Sequence, residues 1–394
     1  MVGLLHILEY HVILICLESR SASFGVGGGP SGVATPAPFP APVHSASVVA
    51  GVRRPETQSI PLATEPHPFA QFIAVLGRGK SLTRALTLAE AEEAMAMILT
   101  DRARPEQIGA FLMLLRVKEE TGDEIAGFVR AVRATLPKPA IRADLDWPSY
   151  AGKRRRLPWF LLAALTLADA GWRVAMHGLE GHTAGRLYAR EAIARLGLPI
   201  AGGLDEAATH LEARNFVYLP LNAFCPRLAE LFALRAILGL RSPVHTLARL
   251  VNPLDAPASI QSVFHPGYMA IHRDAALRLG EARMAVFRGE GGEAERRPNK
   301  PCETLTVAEG AAGEMHWPPL LDDPRAGPDE NLDLDRLAAL WRGETQDEYA
   351  TAAIVGTVAI ALATLGVERD PAAAGARAVA LWRARNRASL AAAA

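Results

Sequence analysis

Apolar residues recur at helical spacing between residues 87 and 136, where three short amphipathic stretches follow one another. The first and third begin with capping-box spacing, at Thr87–Glu90 and Thr121–Glu124, and the second begins at Pro105. The second has an apolar stripe at Ile108, Phe111, Leu112 and Leu115. Helices this short need a partner surface to bury their stripes. The pattern therefore predicts a small helical domain over residues 67–139.

Beyond Pro139 the pattern changes to short apolar runs separated by longer helical stretches. The runs that predict strands are Arg173–Gly178, Phe216–Leu221, Ser259–Phe264 and Arg283–Phe287. Strands that alternate with helices indicate crossover units and a mainly parallel sheet, whose ligands bind beyond the carboxyl ends of the strands. The sequence thus predicts an α/β protein, with a small helical N-terminal domain plus a larger mainly parallel α/β domain over 140–394. Helices around 226–240 are expected to pack with the helical domain.

Residues 1–66 do not follow either pattern. The apolar stretch up to Leu17 is interrupted by His6, Glu9 and His11, and no cation precedes it, so it fits neither a secretory signal nor a membrane span. The residues that follow are rich in Gly, Pro, Ala and Ser, which is typical of disordered segments. We interpret 1–66 as a disordered tail or as a translation start placed too far upstream, and we expect no membrane association.

Composition limits the possible partners. The 394 residues contain 42 Lys and Arg against 42 Asp and Glu, so any attraction to phosphate must be local. The three cysteines (Cys16, Cys225, Cys302) lie far apart and have no metal-binding spacing. This usage is typical of reduced thiols and predicts a cytoplasmic protein.

Two basic groups are the candidate phosphate contacts. The first is the run Lys153, Arg154, Arg155 and Arg156, flanked by Trp147, Tyr150 and Trp159, and the second is Arg296, Arg297 and Lys300. Cations beside aromatic rings can hold phosphates and stack on bases. The alternative interpretation is that the run is a solvated loop and that the tryptophans belong to the core.

Several segments, taken in order, carry a resemblance to a known family. Residues 105–133 resemble the helical domain of anthranilate phosphoribosyltransferase, a member of glycosyl transferase family 3, and the order and spacing of the later segments agree. Those segments are Met176-His177-Gly178, Arg241–Leu247, Asn252-Pro253-Leu254, Phe264-His265-Pro266 and GEGGEAE at 289–295. The resemblance implies a fold shared with nucleoside phosphorylases and phosphoribosyltransferases. It also implies donor-site equivalents at Gly152, His177, Gly178, Asn252 and Pro253.

The sequence departs from that family at three parts of the donor site. A Gly-Thr-Gly-Gly-Asp loop is replaced by Gly152 and four cations, and Met176 stands where the family has the lysine of Lys-His-Gly-Asn. In the acidic motif Ala294 takes one carboxylate position and leaves Glu293 and Glu295. Glycines let a backbone approach a diphosphate, and magnesium neutralises it, so ordinary donor chemistry is not expected.

These replacements resemble the YbiB-type branch of the family. That resemblance implies a homodimer, formed through the helical domain, which binds single- or double-stranded nucleic acid without sequence preference. The alternative is a glycosyl or phosphoribosyl transferase with an atypical donor site, in which Glu293 and Glu295 bind Mg²⁺ and His177 lines the acceptor pocket. A nucleoside-phosphorylase-like activity, with His182-Thr183 near the phosphate site, ranks below both.

Overall fold

The computed structural model describes residues 65–390 apart from 80, 326 and 330, so the segment interpreted as a tail lies almost entirely outside the described residues. The N-terminal part contains four helices: α1 (Ala70–Gly77), α2 (Leu88–Leu99), α3 (Pro105–Lys118) and α4 (Gly122–Ala134). Both predicted capping boxes are confirmed, because Thr87 and Thr121 each exchange hydrogen bonds with the glutamate three residues later. Helix α1 was not predicted, although its buried Phe72 and Leu76 anchor it to the core.

The larger part is built on one seven-stranded sheet of order β3-β2-β1-β4-β5-β6-β7. The strands are β1 (Leu145–Ser149), β2 (Val174–Gly178), β3 (Phe216–Pro220), β4 (Ala258–Val263), β5 (Arg283–Arg288), β6 (Cys302–Ala308) and β7 (Ala311–Trp317). The first five are parallel, which confirms the predicted mainly parallel sheet and its four predicted strands, now β2 to β5. Strand β1 was not predicted, and β6 and β7 add an antiparallel hairpin. Glu309 and Gly310 both have positive φ, which suits the two-residue turn of that hairpin.

Helices cover both faces of the sheet. They are α5 (Phe160–Asp169), α6 (Ala189–Arg195), α7 (Leu204–Arg214), α8 (Leu221–Phe224), α9 (Pro226–Leu238), α10 (Val244–Leu247), α11 (Tyr268–Leu279), α12 (Asp335–Arg342), α13 (Glu348–Leu365) and α14 (Pro371–Ala384). One core contains α5, α13 and α14, and the other joins the N-terminal helices to α9 and α11. By length and composition α13 is apolar enough to cross a membrane, but most of its residues are buried against the sheet and α5.

The parallel strands bring their carboxyl ends to one edge of the sheet. The loop at 150–153 follows β1, His177 and Gly178 end β2, Phe264 follows β4, and Gly289 follows β5. Ligands of open parallel sheets bind at such an edge. The sequence motifs at 150–156, 176–178, 264–266 and 289–295 therefore meet at one rim.

Candidate anion-binding site

The loop after β1 is closed by a carboxylate from the protein itself. Oε1 of Glu293 accepts hydrogen bonds from the backbone N–H groups of Ala151, at 2.7 Å, and Gly152, at 2.5 Å. Gly152 has a φ of +68°, and a side chain there would press on Arg186 and Tyr188. Glu293 is only 1 % exposed, and burial raises its pKa although the backbone donors and Arg249 oppose that shift. The pair of backbone donors that faces the rim is thus already filled.

Lys153 is neutralised in the same way. Its Nζ lies 2.5 Å from Oε1 of Glu295, and the two side chains are 1 % and 0 % exposed. The second oxygen of Glu295 accepts from the backbone N–H of Phe160. Burial raises the pKa of Glu295 to about 7, against the opposing effect of Lys153. Lys153 was predicted to contact phosphate at the surface, and its burial in an internal ion pair corrects that assignment.

The remaining cations of the two basic groups occupy different environments. Arg154 and Arg155 are exposed, whereas Arg156 is buried over the ring of Tyr349, with its guanidinium 3.6 Å from the ring centroid, and bonds the carbonyl of Gly327. Arg296 is 2 % exposed and donates to the carbonyl of Pro318, so its side chain is not a surface contact. Arg297 and Lys300 are half-buried.

The aromatic residues beside the basic run do not form a stacking surface. Trp147, Tyr150 and Trp159 are each at most 1 % exposed, which corrects the base-stacking interpretation in favour of the core interpretation. Such buried rings stabilise the fold through the apolar area they remove from water.

A magnesium ion does not fit Glu293 and Glu295 as they stand. Three of their four carboxylate oxygens accept hydrogen bonds from protein donors. The fourth, Oε2 of Glu293, is buried without a partner among the described residues. Within residues 65–390, as described, no group of three His, Cys, Asp or Glu side chains has the arrangement of a metal site. A hard cation needs several free oxygen ligands. The carboxylates of the acidic motif instead accept hydrogen bonds from donors inside the protein.

The other donor-site equivalents are structural in this arrangement. His177 is buried, with Nδ1 2.8 Å from the hydroxyl of Tyr150 and Nε2 3.2 Å from Asp146. Asn252 has a φ of +48°, and its side chain closes the turn around Pro253 by exchanging two hydrogen bonds with Ala256. Gly178 lies so close to the carbonyl of Ser149 that no side chain fits there.

A cleft of about 350 Å³ lies beside the closed loop, between the helical domain and the sheet edge. Four arginines line it, and Glu120 is the one acidic residue among its described lining residues. Those arginines are Arg116, Arg186, Arg241 and Arg249. Arg186 donates to the carbonyls of Ala151 and Gly152, at 3.1 and 3.0 Å, which joins the cleft to the closed loop.

The cleft carries positive charge that the protein does not neutralise. Arg241 is exposed and makes no hydrogen bond or ion pair with another described residue. Desolvation lowers its pKa, and the neighbouring Arg235, Arg249 and Arg186 lower it further. Like charges gathered in a cleft without counter-ions are typical of sites that bind an external anion.

The same positive field acts on His245, which lines the cleft, and on His182, whose ring lies against that of His245. Burial lowers the pKa of His182 to about 4 and that of His245 to about 2, and nearby arginines lower both further. Both imidazoles are therefore neutral at physiological pH, so the charge of the cleft comes from its arginines.

The sequence motifs did not identify this arginine cluster as the site. Arg241 was noted only as part of a family segment, and Arg249 and Arg116 were not considered. The four residues come from four separate elements, so only the fold brings them together. The available signal was the segment from Arg241 to Arg249, which carries two arginines and His245 within nine residues.

Comparison with known proteins agrees with this architecture. Residues 70–136 match the model of the glycosyl transferase family helical bundle domain. The chain is 32% identical to the anthranilate phosphoribosyltransferase of Methylocella silvestris over 236 residues, which is 59% of this chain and 67% of that protein. It is 29% identical to the uncharacterised protein YbiB of Escherichia coli over 245 residues, covering 61% and 76% of the two chains.

Solved structures show the same fold. Anthranilate phosphoribosyltransferase from Thermus thermophilus superposes with a TM-score of 0.66 at 24% identity, over 80% of this chain and 94% of that one. The Saccharomyces cerevisiae enzyme in complex with PRPP and Mg gives a TM-score of 0.64 at 16% identity, over 80% and 93% of the chains.

The fold and the rim define a protein with a glycosyl-transferase-type helical bundle joined to a mainly parallel α/β domain. The chain belongs to the anthranilate phosphoribosyltransferase-like family of glycosyl transferase family 3. Its rim carries the filled loop and the arginine cleft described above.

Proposed function

We propose that this protein is a sequence-nonspecific nucleic-acid-binding homodimer, derived from an anthranilate phosphoribosyltransferase-like scaffold with a degenerate donor site. The observation that carries the proposal is the carboxylate of Glu293 on the N–H groups of Ala151 and Gly152. A bound diphosphate would need those donors, and the protein has filled them with a group of the same charge sign. Beside them, Arg241 makes no ion pair with another described residue.

The cations that remain accessible support binding of a polyanion. Arg154 and Arg155 are exposed on the loop after β1, and Arg297 and Lys300 are half-buried beyond β5. Contacts between such residues and phosphates need no base recognition, which is why sequence preference is not expected. Single and double strands both present this backbone. We place the function in the cytoplasm, where the buried free thiols of Cys225 and Cys302 would stay reduced.

An apolar face on the helical domain supports the homodimer. Val117 on α3 and Ile237 on α9 are 82 % and 80 % exposed, and Leu240 is 53 % exposed. Leu238 lies against Gly109, so α3 and α9 present these side chains on neighbouring helices. Exposed apolar residues on neighbouring helices favour a protein partner, and a second copy covers them without any further component. Sedimentation of the Ile237→Asp variant should give a monomer, and an unchanged dimer would remove this face as the interface.

A transferase with an atypical donor is the second candidate, and the arginine cleft is the observation that favours it. Arg186, Arg241 and Arg249 could hold a diphosphate through side chains in place of a backbone loop. This alternative requires an anionic small donor, with or without a divalent cation, to stabilise the folded protein.

Two measurements on the same preparation separate the candidates. Fluorescence anisotropy of labelled oligonucleotides of unrelated sequence, at several salt concentrations, should show binding that weakens steeply with salt and ignores sequence. In thermal unfolding, Mg²⁺ should not raise the midpoint beyond the value measured with phosphoribosyl diphosphate alone, because Glu293 and Glu295 are already occupied by protein donors. Absence of oligonucleotide binding at low salt would overturn the proposal, and a further rise of the midpoint with Mg²⁺ would favour the transferase.

A further inference from the structure

The cleft combines two kinds of recognition surface. Its arginines supply positive charge, and Phe264, which is 48 % exposed, lines the same space with its ring in edge contact with His265 at a centroid distance of 4.9 Å. The exposed part of this ring is open to a ligand in the cleft, and every nucleic-acid base offers a face that an aromatic ring can stack on. One nucleotide carries both complementary groups, a phosphate and a base.

The size of the cleft favours a chain end over a continuous strand. A volume of about 350 Å³ is at the small end of ligand pockets, and its inner wall is formed by buried Ala151, Thr246 and His272. Surface cations such as Arg154 can follow a backbone of any length, whereas a pocket of this size accommodates one terminal unit.

The charge of the cleft favours a phosphomonoester over a phosphodiester. A phosphomonoester carries a charge of about −1.5 to −2 at neutral pH, and an internal phosphodiester carries one negative charge. Arg186 and Arg249 bond to backbone carbonyls on one side of their guanidinium groups, and Arg241 has all its donors unused by described residues. Guanidinium groups bind phosphate oxygens in paired hydrogen bonds, so three of them match a dianion with three free oxygens.

We propose that this cleft binds the phosphorylated end of a single-stranded nucleic acid, with the terminal phosphate on Arg241, Arg186 and Arg249 and the terminal base against Phe264. A single strand is required because the base must be unpaired to stack. This inference rests on the proposed function and adds a preference for ends to nonspecific backbone binding.

The test compares oligonucleotides that differ in one group. Four fluorescein-labelled DNA 12-mers of one sequence are compared. The first has a 5′-phosphate, the second a 3′-phosphate, the third hydroxyl groups at both ends, and the fourth is circular and has no ends. Their affinities are measured by fluorescence anisotropy. We expect one phosphorylated end to bind about tenfold more tightly than the hydroxyl form, the factor that one added charge-assisted hydrogen bond provides. The circular strand should match the hydroxyl form.

The outcomes separate this inference from the proposed function. Equal affinity for all four strands would overturn the end preference and leave nonspecific binding intact. No binding of any strand would overturn both. A preference for the 5′- or the 3′-phosphate assigns the polarity of the bound strand.

Variants locate the preference in the cleft. Arg241→Gln, at an exposed position, should remove the tenfold preference and change the affinity for the hydroxyl strand little. The matched Arg155→Gln variant on the β1 loop should weaken binding of every strand alike and keep the preference. Phe264→Leu, which retains apolar bulk, should weaken the binding of the phosphorylated strand more than the binding of the circular strand. A preference that survives Arg241→Gln in a folded protein contradicts the assignment of the cleft.

Discussion

Two neighbouring regions of the rim differ in whether the protein's own carboxylates pair with their donors and cations. At the loop after β1, Glu293 fills the backbone donors of Ala151 and Gly152, and Glu295 neutralises Lys153. In the adjoining cleft, Arg241 has no counter-ion among the described residues. In the first region protein groups pair the backbone donors and the lysine, and in the second an arginine side chain is left without such a partner among the described residues.

The difference shows how the loop after β1 can be closed by the protein's own carboxylates while the adjoining cleft keeps positive charge. Removing glycines alone would leave buried backbone donors and a lysine without partners, which costs free energy. The carboxylates of the acidic motif satisfy these groups from within. Positive charge for an external anion is then supplied by residues that lie outside the loop.

The largest expected effect comes from breaking the internal ion pair. Glu295→Ala leaves the ammonium of Lys153 buried without a carboxylate, and such a loss destabilises a protein by about 3–5 kcal/mol. Urea unfolding followed by circular dichroism measures it. Replacing both partners, as in Lys153→Met with Glu295→Leu, should restore most of the stability because no charge is left unpaired.

The control for this variant lies in the same turn. Glu290 is half-buried, so Glu290→Ala should change the free energy of unfolding by at most about 0.5 kcal/mol. If Glu295→Ala unfolded at the same urea concentration as the wild type, the ammonium of Lys153 would have to be solvated, and the loop would not be internally satisfied.

Local signals in the sequence predicted the helical domain well. Features that depend on residues far apart in the sequence could not be predicted in this way. The capping box at Thr87 lies within four residues, so the sequence alone reveals it. Strand β1 was missed because Asp146 and Pro148 interrupt its apolar pattern, although all five residues are buried. The fate of Lys153 depended on Glu295, 142 residues away, and nothing near the basic run indicates that pairing.

The next prediction tests whether the carboxylate of Glu293 occupies a position that an external anion could otherwise take. Glu293→Ala exposes two backbone donors without an acceptor and should cost about 1–3 kcal/mol of stability. Inorganic diphosphate should then raise the thermal midpoint of the variant more than that of the wild type, because the N–H pair is open to it. Glu293→Gln keeps an acceptor oxygen and should respond as the wild type does. An equal response in all three proteins would show that the loop does not distinguish an internal from an external anion.

A pH dependence follows from the histidines at the cleft. The pKa of His182 is lowered to about 4 and that of His245 to about 2, chiefly by burial, from an ordinary value of 6.5. As pH falls below 6.5 the unfolded chain binds protons that the folded chain does not, so stability is lost progressively, down to about pH 4 for His182 and further for His245. An anion in the cleft should reduce this loss, because it offsets the arginines that lower both pKa values.

Thermal unfolding between pH 7 and 4.5 measures this dependence, with and without a phosphorylated oligonucleotide. The His245→Asn variant, which keeps a polar side chain at a buried position, should show a shallower decline. A His245→Asn midpoint that declined as steeply as that of the wild type would mean that His245 titrates normally and that the cleft is not desolvated. The comparison is made between variants because the raised pKa of Glu295 opposes the histidines over the same pH range.

The smallest effect concerns the exposed cations of the filled region. Arg154 and Arg155 are exposed beside a loop whose other charges are paired, so they can contribute only long-range attraction and backbone contacts. Replacing both by Gln should reduce the slope of log affinity against log salt for a single strand by about 1.4, since each phosphate contact contributes about 0.7. The Arg241→Gln variant should reduce the slope for a hydroxyl-ended strand by less than half as much. If the two variants changed that slope equally, both regions would contact the strand backbone to the same extent. The filled loop and the open cleft would then not differ in how they bind nucleic acid.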